Sequence, residues 1–161
     1  MKLISIVTPC YNEEENIELL STKVSELFEG SLSNYDYEHI FIDNNSSDDT
    51  INILRKLAKD NQKIKVILNS RNFGHIRSPY HGMFQSTGEA TVLLVSDLQD
   101  PPNLIVDFIK EWEKGYKVVV GVKTKSVENF LMFAIRKLYY RLIEKLSDTE
   151  QIKNFTGFGL Y

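Results

Sequence analysis

VLLVSDLQDPP, residues 92–102, decides how the rest of the chain reads. An apolar run of buried-strand type stops at Asp97, a polar pair follows at Gln99 and Asp100, and Pro101 and Pro102 prevent the strand from continuing. In an extended segment the oxygen-bearing side chains at i and i+2, Asp97 and Gln99, lie on the same side. The C-terminal end of a strand is where open α/β sheets bind their ligands. Oxygen ligands placed there suit a hard divalent cation, Mg2+ or Mn2+, and such a cation usually brings a phosphate with it. The plainer reading is a strand-to-helix turn with Asp100 as N-cap and Pro101 at the first helical position. That reading accounts for Asp100 and leaves Asp97 and Gln99 for the metal.

Outward from this stretch, strand and helix signals alternate. Leu3–Thr8 is a β-rich run ended by Pro9, and residues 13–29 carry Ile17, Leu20, Val24 and Leu27 at helical spacing behind an acidic first turn of Glu13, Glu14 and Glu15. Tyr37–Ile42 predicts a second strand, Ile51, Leu54, Leu57 and Ala58 a second helix, and Lys63–Leu68 a third strand. Tyr80, Met83, Phe84 and Thr87 suggest a helix that starts at Ser78 and Pro79. Ala90–Val95, Leu104–Trp112 and Lys117–Val122 complete the series as strand, helix and strand. Short apolar strands separated by such helices imply α/β architecture, a mostly parallel sheet covered on both faces.

The chain has 161 residues and a net charge of −3, the size of one domain with a proper core and with no broad basic field for nucleic acid. An anionic ligand must therefore be held locally. The single Cys10 excludes an internal disulfide and fits a reducing compartment. MKLISIV is too short an apolar run for a signal peptide, and no stretch approaches the roughly 18 apolar residues of a membrane span. A cytoplasmic location is the expectation.

Three loops, PCYNEEEN, DNNSSDDT and SDLQDPP, follow the first, second and fourth strands and share one rim of a parallel sheet, so Tyr11, Asn12, Glu13, Asp43 and Asp97 converge. Asp43 is placed either to accept hydrogen bonds from a base or ribose or to close an Asx-turn. Tyr11 either flanks a base or packs beside the first strand. SRNFGHIRS offers Arg71, His75 and Arg77 near Gly74, whose backbone freedom suits a pyrophosphate neighbour. There is no G-x-G-x-x-G or P-loop, no G-x-S-x-G elbow, and His39, His75 and His81 lack zinc-site spacing.

VTPCYNEEENI, the Asp43 loop, SRNFG and SDLQDPP, in this order, resemble family 2 glycosyltransferases of the GT-A (nucleotide-diphosphosugar transferase) fold, a Rossmann-like three-layer architecture. The nearest branch is that of polyprenyl- or dolichol-phosphate sugar transferases and bacterial surface-polysaccharide enzymes. The resemblance covers essentially the whole chain, 1–161, as a single catalytic domain. It implies that Pro9, Tyr11, Asn12, Glu13, Asp43, Asn72, Gly74, Ser96 and Asp97 line a site for a UDP- or GDP-type sugar. It implies too that Asp97 and Gln99 hold the metal bridging its diphosphate, and that Asp97 is essential. The expected reaction is inverting transfer to a lipid-phosphate or saccharide acceptor.

Two departures stand out. Relatives carry an Asp two residues before Asp97, where this chain has Val95; where the family usually shows a Gly-Asp-Phe-like segment, this chain reads Thr156-Gly157-Phe158. They motivate an alternative, a sugar-nucleotide-binding module with impaired catalysis. Residues 128–146 predict a basic, aromatic amphipathic helix, which either packs on its own domain or contacts the inner face of the cytoplasmic membrane. The closing NFTGFGLY resembles the beginning of another element, so a C-terminally truncated domain is expected.

Overall fold

The structure, a computed structural model, describes residues 1–122 and 155–161. Met1–Val119 with Phe158–Tyr161 make one compact unit, to which the core and the site below belong; Val120–Gly157 make a second, mostly outside the described residues. The elements run β1 (Leu3–Cys10), α1 (Ile17–Glu29), β2 (Asp36–Asp43), α2 (Thr50–Asp60), β3 (Ile64–Leu68), α3 (Gly74–Phe84), β4 (Ala90–Leu93), α4 (Leu104–Glu113), β5 (Val119–Val122) and β6 (Phe155–Leu160). The sheet order is β3-β2-β1-β4-β6-β5. β1 pairs in parallel with β2 and β4, β2 with β3, and β4 meets β6 antiparallel. The expected mostly parallel α/β sheet is therefore present.

Strand alternation sorts side chains between the two faces. Ile4 and Ile6 of β1, with Tyr37 and Phe41 of β2, join Leu20, Val24 and Phe28 of α1, Leu54 of α2, and Ile105, Phe108 and Ile109 of α4 in one buried cluster. On the opposite face Val7 and Ile42 meet α3 at Gly82, where an added Cβ would stand 2.9 Å from Val7 Cγ1. Helices thus cover both faces, as a sheet buried on both sides requires.

Pro9 does not end β1, which continues to Cys10 opposite Asp43. Odd residues of β1 direct their backbone groups toward β4, as the bonds from Glu89 N–H to Leu3 O and from Leu94 N–H to Val7 O record. β4 has ended at Leu93, so no ladder bond is lost where Pro9 lacks its N–H.

Other boundaries also differ from the expectation. α1 begins at Ile17, because Glu13 O accepts from Asn16 and Ile17 N–H in a separate turn; Glu13, Glu14 and Glu15 precede the helix. α3 begins at Gly74, so Ser78 and Pro79 lie inside it, both buried, and it ends at Phe84 before Thr87. α4 begins at Leu104 with Asn103 as cap, so Asp100 is not the N-cap and Pro101 is not in the helix. The closing segment forms β6, whose Thr91–Tyr161 backbone bonds of 2.8 Å and Phe158–Phe108 ring contact fasten it to the core. The predicted helix over 128–146 lies outside the described residues.

At the N-terminal rim, away from the loops discussed below, Glu38 closes a buried knot. Its Oε1 accepts from Ser5 Oγ, Thr87 N–H and Thr87 Oγ1, its Oε2 from Lys65 Nζ, and Ser5 Oγ in turn accepts the Gly88 N–H. Burial alone would raise the Glu38 pKa, but the bonds from Lys65, Ser5 and Thr87 outweigh it and bring the carboxyl from 4.5 down to about 2. The folded chain then binds the proton less readily than the unfolded one. The contribution is complete above pH 4.5 and is lost as pH falls toward 2. Unfolding titrations are expected to show the wild type losing roughly 2–3 kcal/mol across that window, and Glu38→Gln losing much less. A Cβ on Gly88 would stand 2.7 Å from Ser5 N and 2.8 Å from Leu3 O, both backbone atoms. Gly88→Ala should therefore cost about 1–3 kcal/mol in denaturant unfolding, with wild-type stability contradicting this close approach.

Candidate functional site

Parallel pairing of β1 with β2 and β4 brings the loops 11–16, 44–49 and 94–103 to the C-terminal rim, and β3 adds 69–73. The first two are laced together. Asn12 donates its N–H to Ser46 Oγ, and its Oδ1 accepts from Ser47 N–H at 2.8 Å. Glu13 N–H donates to Thr50 Oγ1, Glu14 N–H to Asp48 Oδ2, and Glu14 Oε2 accepts from Asp49 N–H. The Asp48 carboxyl is held below the usual range: burial opposes ionisation, and hydrogen bonds from Thr50 and Glu14 outweigh it. Asn12 and Glu13, expected in the site, thus tie these two loops together.

Asp43 ends β2 and is fully buried. Its Oδ2 accepts from both Asn45 and Ser46 N–H at 3.0 Å, which is the Asx-turn. Its Oδ1 is buried with no hydrogen-bond partner among the described residues. The Asx-turn, one of the two readings of Asp43, is therefore formed by Oδ2 alone. A buried acceptor left unpaired costs free energy, and since solvent does not reach Oδ1 in this conformation, a ligand's donor would pair with it only after the 44–49 loop shifts. Tyr11, on the adjoining loop, is half exposed, and Pro9 lies beside Ile42 of β2.

The next residue, Asn44, had no part in the sequence reading. Its Nδ2 donates to Asn72 Oδ1 at 2.9 Å and Gly74 O at 3.4 Å; its Oδ1 accepts from Phe73 N–H at 2.8 Å and Asn69 Nδ2 at 3.2 Å. One buried amide thereby fixes the loop before α3. Asn72 Oδ1 also takes the Gly74 N–H, and Gly74 sits at φ +85, which an L side chain rarely adopts. Arg71, Asn72, His75 and Arg77 are exposed around it. The only cue in sequence was asparagine directly after the strand-end aspartate, too common in turns to single out.

The segment after β4 is not extended. Ser96 is buried, Asp97 and Gln99 are exposed, and Leu98 between them has φ +57. Asp97 Oδ1 accepts the Gln99 N–H at 3.1 Å. Asp97 and Gln99 are neighbours through a tight turn rather than through strand alternation. A left-handed leucine is an uncommon conformation of the kind that clusters at functional sites. Among the described residues no group of three or more His, Cys, Asp or Glu is placed to hold a metal. Among the described residues, Asp97 and Gln99 are side chains that could contribute to a metal site, and a pair of this kind would leave most positions of a Mg2+-type ion to phosphate oxygens and water.

Two groups are removed from the chemistry. Burial, then the charges of Asp43, Glu13 and Asp48, push the Cys10 thiol far above its usual range, so no thiolate forms. His39 is buried on β2, shares a 2.9 Å hydrogen bond with Thr8 Oγ1, stacks on Phe41, and is pulled down to about 3 by burial. It stays neutral at physiological pH.

Replacing Asn44 with alanine should lower stability by about 1–3 kcal/mol and speed hydrogen exchange at the Phe73 and Gly74 amides, leaving the Glu38 knot unaffected. Unchanged exchange at Phe73 would show that Asn44 does not anchor this loop.

The family model described as Glycosyl transferase family 2 matches residues 5–159. The uncharacterised glycosyltransferase YkcC of Bacillus subtilis (strain 168) is 38% identical over 147 residues, covering 91% of this chain and 45% of that protein. The bactoprenol glucosyl transferase of Shigella phage SfX is 32% identical over 158 residues, covering 98% and 51%. Among solved structures, mannosyltransferase PcManGT from Pyrobaculum calidifontis, in complex with GDP-Man and Mn2+, matches with a TM-score of 0.65 at 17% identity, covering 98% of this chain and 44% of that one. The chain spans about half the length of the curated relatives it matches.

Proposed function

This chain belongs to glycosyl transferase family 2, and we propose that its C-terminal rim takes a UDP- or GDP-type sugar and passes the sugar, with inversion, to a lipid-phosphate acceptor. The observation that carries this reading is the buried Oδ1 of Asp43, which has no hydrogen-bond partner among the described residues. A base N–H or a ribose hydroxyl is the kind of donor that would satisfy it, with Tyr11 flanking the base. The rim itself is acidic, with Glu13, Asp43, Asp48 and Asp97 along its loops. A diphosphate approaching these carboxylates needs an intervening cation, and Asp97 and Gln99 are the residues that would hold Mg2+ or Mn2+. That ion would act as a Lewis acid on the departing nucleoside diphosphate. Asn72 and Gly74, after β3, and Ser96, after β4, would border the same space, and Arg71 and Arg77 would add positive charge beyond it.

Inversion follows from one in-line displacement: the acceptor oxygen attacks the anomeric carbon as the diphosphate oxygen leaves. Gly157 stands where the resemblance leads one to expect an acid, at φ +90, a conformation that suits glycine and disfavours aspartate. A lipid phosphate is already anionic at neutral pH and attacks without a general base, whereas a sugar hydroxyl needs one. The activity named for the Shigella phage SfX relative, a bactoprenol glucosyl transferase, also supports a lipid-linked acceptor. A cytoplasmic location at the inner face of the membrane accompanies this reading.

The half-buried Val95 favours one competing reading, a sugar-nucleotide-binding module that does not turn over. Release of nucleoside diphosphate from UDP-glucose or GDP-mannose, with Mn2+ and a polyprenyl phosphate, separates the two. Transfer is expected, and Asp97→Ala should reduce it by roughly a hundredfold or more with an unchanged circular dichroism spectrum. Near-full activity in Asp97→Ala would remove the metal assignment, and nucleotide binding without any transfer would select the non-catalytic module.

A further inference from the structure

The outer face of α3 is apolar where a surface helix is ordinarily polar. α3 packs on the sheet through Ser78, Pro79 and Gly82. On its other side Ile76 is 61% exposed, Tyr80 58% and Phe84 80%, and Phe73 at the helix N-cap is 37% exposed. At 3.6 residues per turn these four positions fall within an arc of about 80°, roughly opposite the buried face. A helix that is apolar on the side facing the core and on the side facing away has a second surface to cover.

Charge identifies what covers it. No Asp or Glu occurs between Asp60 and Glu89, an interval that contains Lys63, Lys65, Arg71 and Arg77. Lys63 and Lys65 pair with Asp36 and Glu38 at the other end of the sheet. Arg71 and Arg77, flanking the apolar stripe, have no carboxylate partner among the described residues, and Arg71 lies over the Phe73 ring at 4.8 Å. Two of the interval's four positive charges are thereby neutralised at the other end of the sheet, so Arg71 and Arg77 alone give the α3 face its positive charge, +2 in a chain of net −3. The α3 face is thus a local basic and aromatic surface on an otherwise acidic molecule. Aromatic and aliphatic side chains along a helix with arginines at the margin are the composition of an element that lies in the headgroup region of an anionic bilayer.

We infer that α3 docks this domain onto an anionic phospholipid surface, inserting Ile76, Tyr80 and Phe84 with Arg71 and Arg77 against lipid phosphates. Gly74, the first residue of α3, is tied to Asn44 beside Asp43. Docking through α3 therefore holds the candidate site's rim close to the bilayer. The docking itself stands on the α3 surface; only its use in presenting a lipid acceptor rests on the function proposed above.

Vesicle co-sedimentation tests this directly. The 161-residue chain is expected to bind vesicles of phosphatidylglycerol mixed with phosphatidylcholine, to bind pure phosphatidylcholine weakly, and to lose affinity as salt rises. The double variant Ile76→Ser/Phe84→Ser, altered only at exposed positions, should lower the partition coefficient about tenfold or more. Absence of parent binding to the anionic vesicles would overturn the inference, as would a double variant that binds as well as the parent. So would lipid-free self-association, dependent on Ile76 and Phe84, with no vesicle binding, which would assign the face to a second copy. UDP and GDP titrations on the same variant separate the two readings: retained nucleotide binding with failed docking leaves the donor site standing, and the converse leaves the docking surface standing.

Discussion

The parallel pairing of β1 with β2, in register from Leu3 opposite Asp36 to Cys10 opposite Asp43, is the constraint on which the rest depends. It ends two strands side by side, so the loops that follow begin one strand spacing apart and can exchange hydrogen bonds. A register slip of one residue would turn Ile4 and Ile6 from the α1 side of the sheet to the α3 side, and would separate Cys10 from Asp43. Side-chain volume guards the register from above and below. Phe41 and Leu54 fill one face, and on the other α3 approaches so closely that position 82 has no room for a Cβ.

Polar groups at the two rims play different parts. At the N-terminal rim Glu38 is saturated by Ser5, Thr87 and Lys65, an arrangement that fixes the chain between α3 and β4 and leaves nothing for a ligand. At the C-terminal rim satisfaction is incomplete. Asn12, Asn44 and Glu14 spend their side chains on neighbouring loops, while Asp43 spends one oxygen and keeps the other. The non-glycine residues with positive φ among the described residues, Asn12, Asn45 and Leu98, all lie on this same rim. Positive-φ backbone and an unpaired buried acceptor thus gather at the C-terminal rim, although His39 Nδ1, beside Glu38 on β2, is likewise buried without a partner among the described residues.

The architecture was legible because hydrophobic periodicity is a property of the chain alone. β2 and β3 were predicted within a residue or two, since Tyr37–Ile42 and Lys63–Leu68 are short apolar or β-rich runs between turn residues. The boundaries that moved did so where tertiary contact overrode a local rule. Pro79 reads as a helix start, yet α3 begins at Gly74 because Asn44 and Asn72 hold that turn from outside. Pro9 reads as a strand end, yet the partner strand it would have bonded had already stopped. Of the site residues, Asp43 was legible by its place after a strand, but which oxygen would be free depends on loop geometry. Asn44 was invisible because its role lies wholly in contacts with residues 69–74.

The central claim is that the unpaired Asp43 oxygen anchors a nucleotide. Calorimetric titration of UDP and of GDP, each with Mn2+, into the chain and into Asp43→Asn tests it most directly. Asparagine keeps an acceptor for the Asn45 and Ser46 amides and puts a donor where Oδ1 stands. Metal-dependent binding of one nucleotide, weakened about tenfold or more by the substitution, is the predicted result. Equal affinity in both proteins, or no binding to the parent chain, would contradict it.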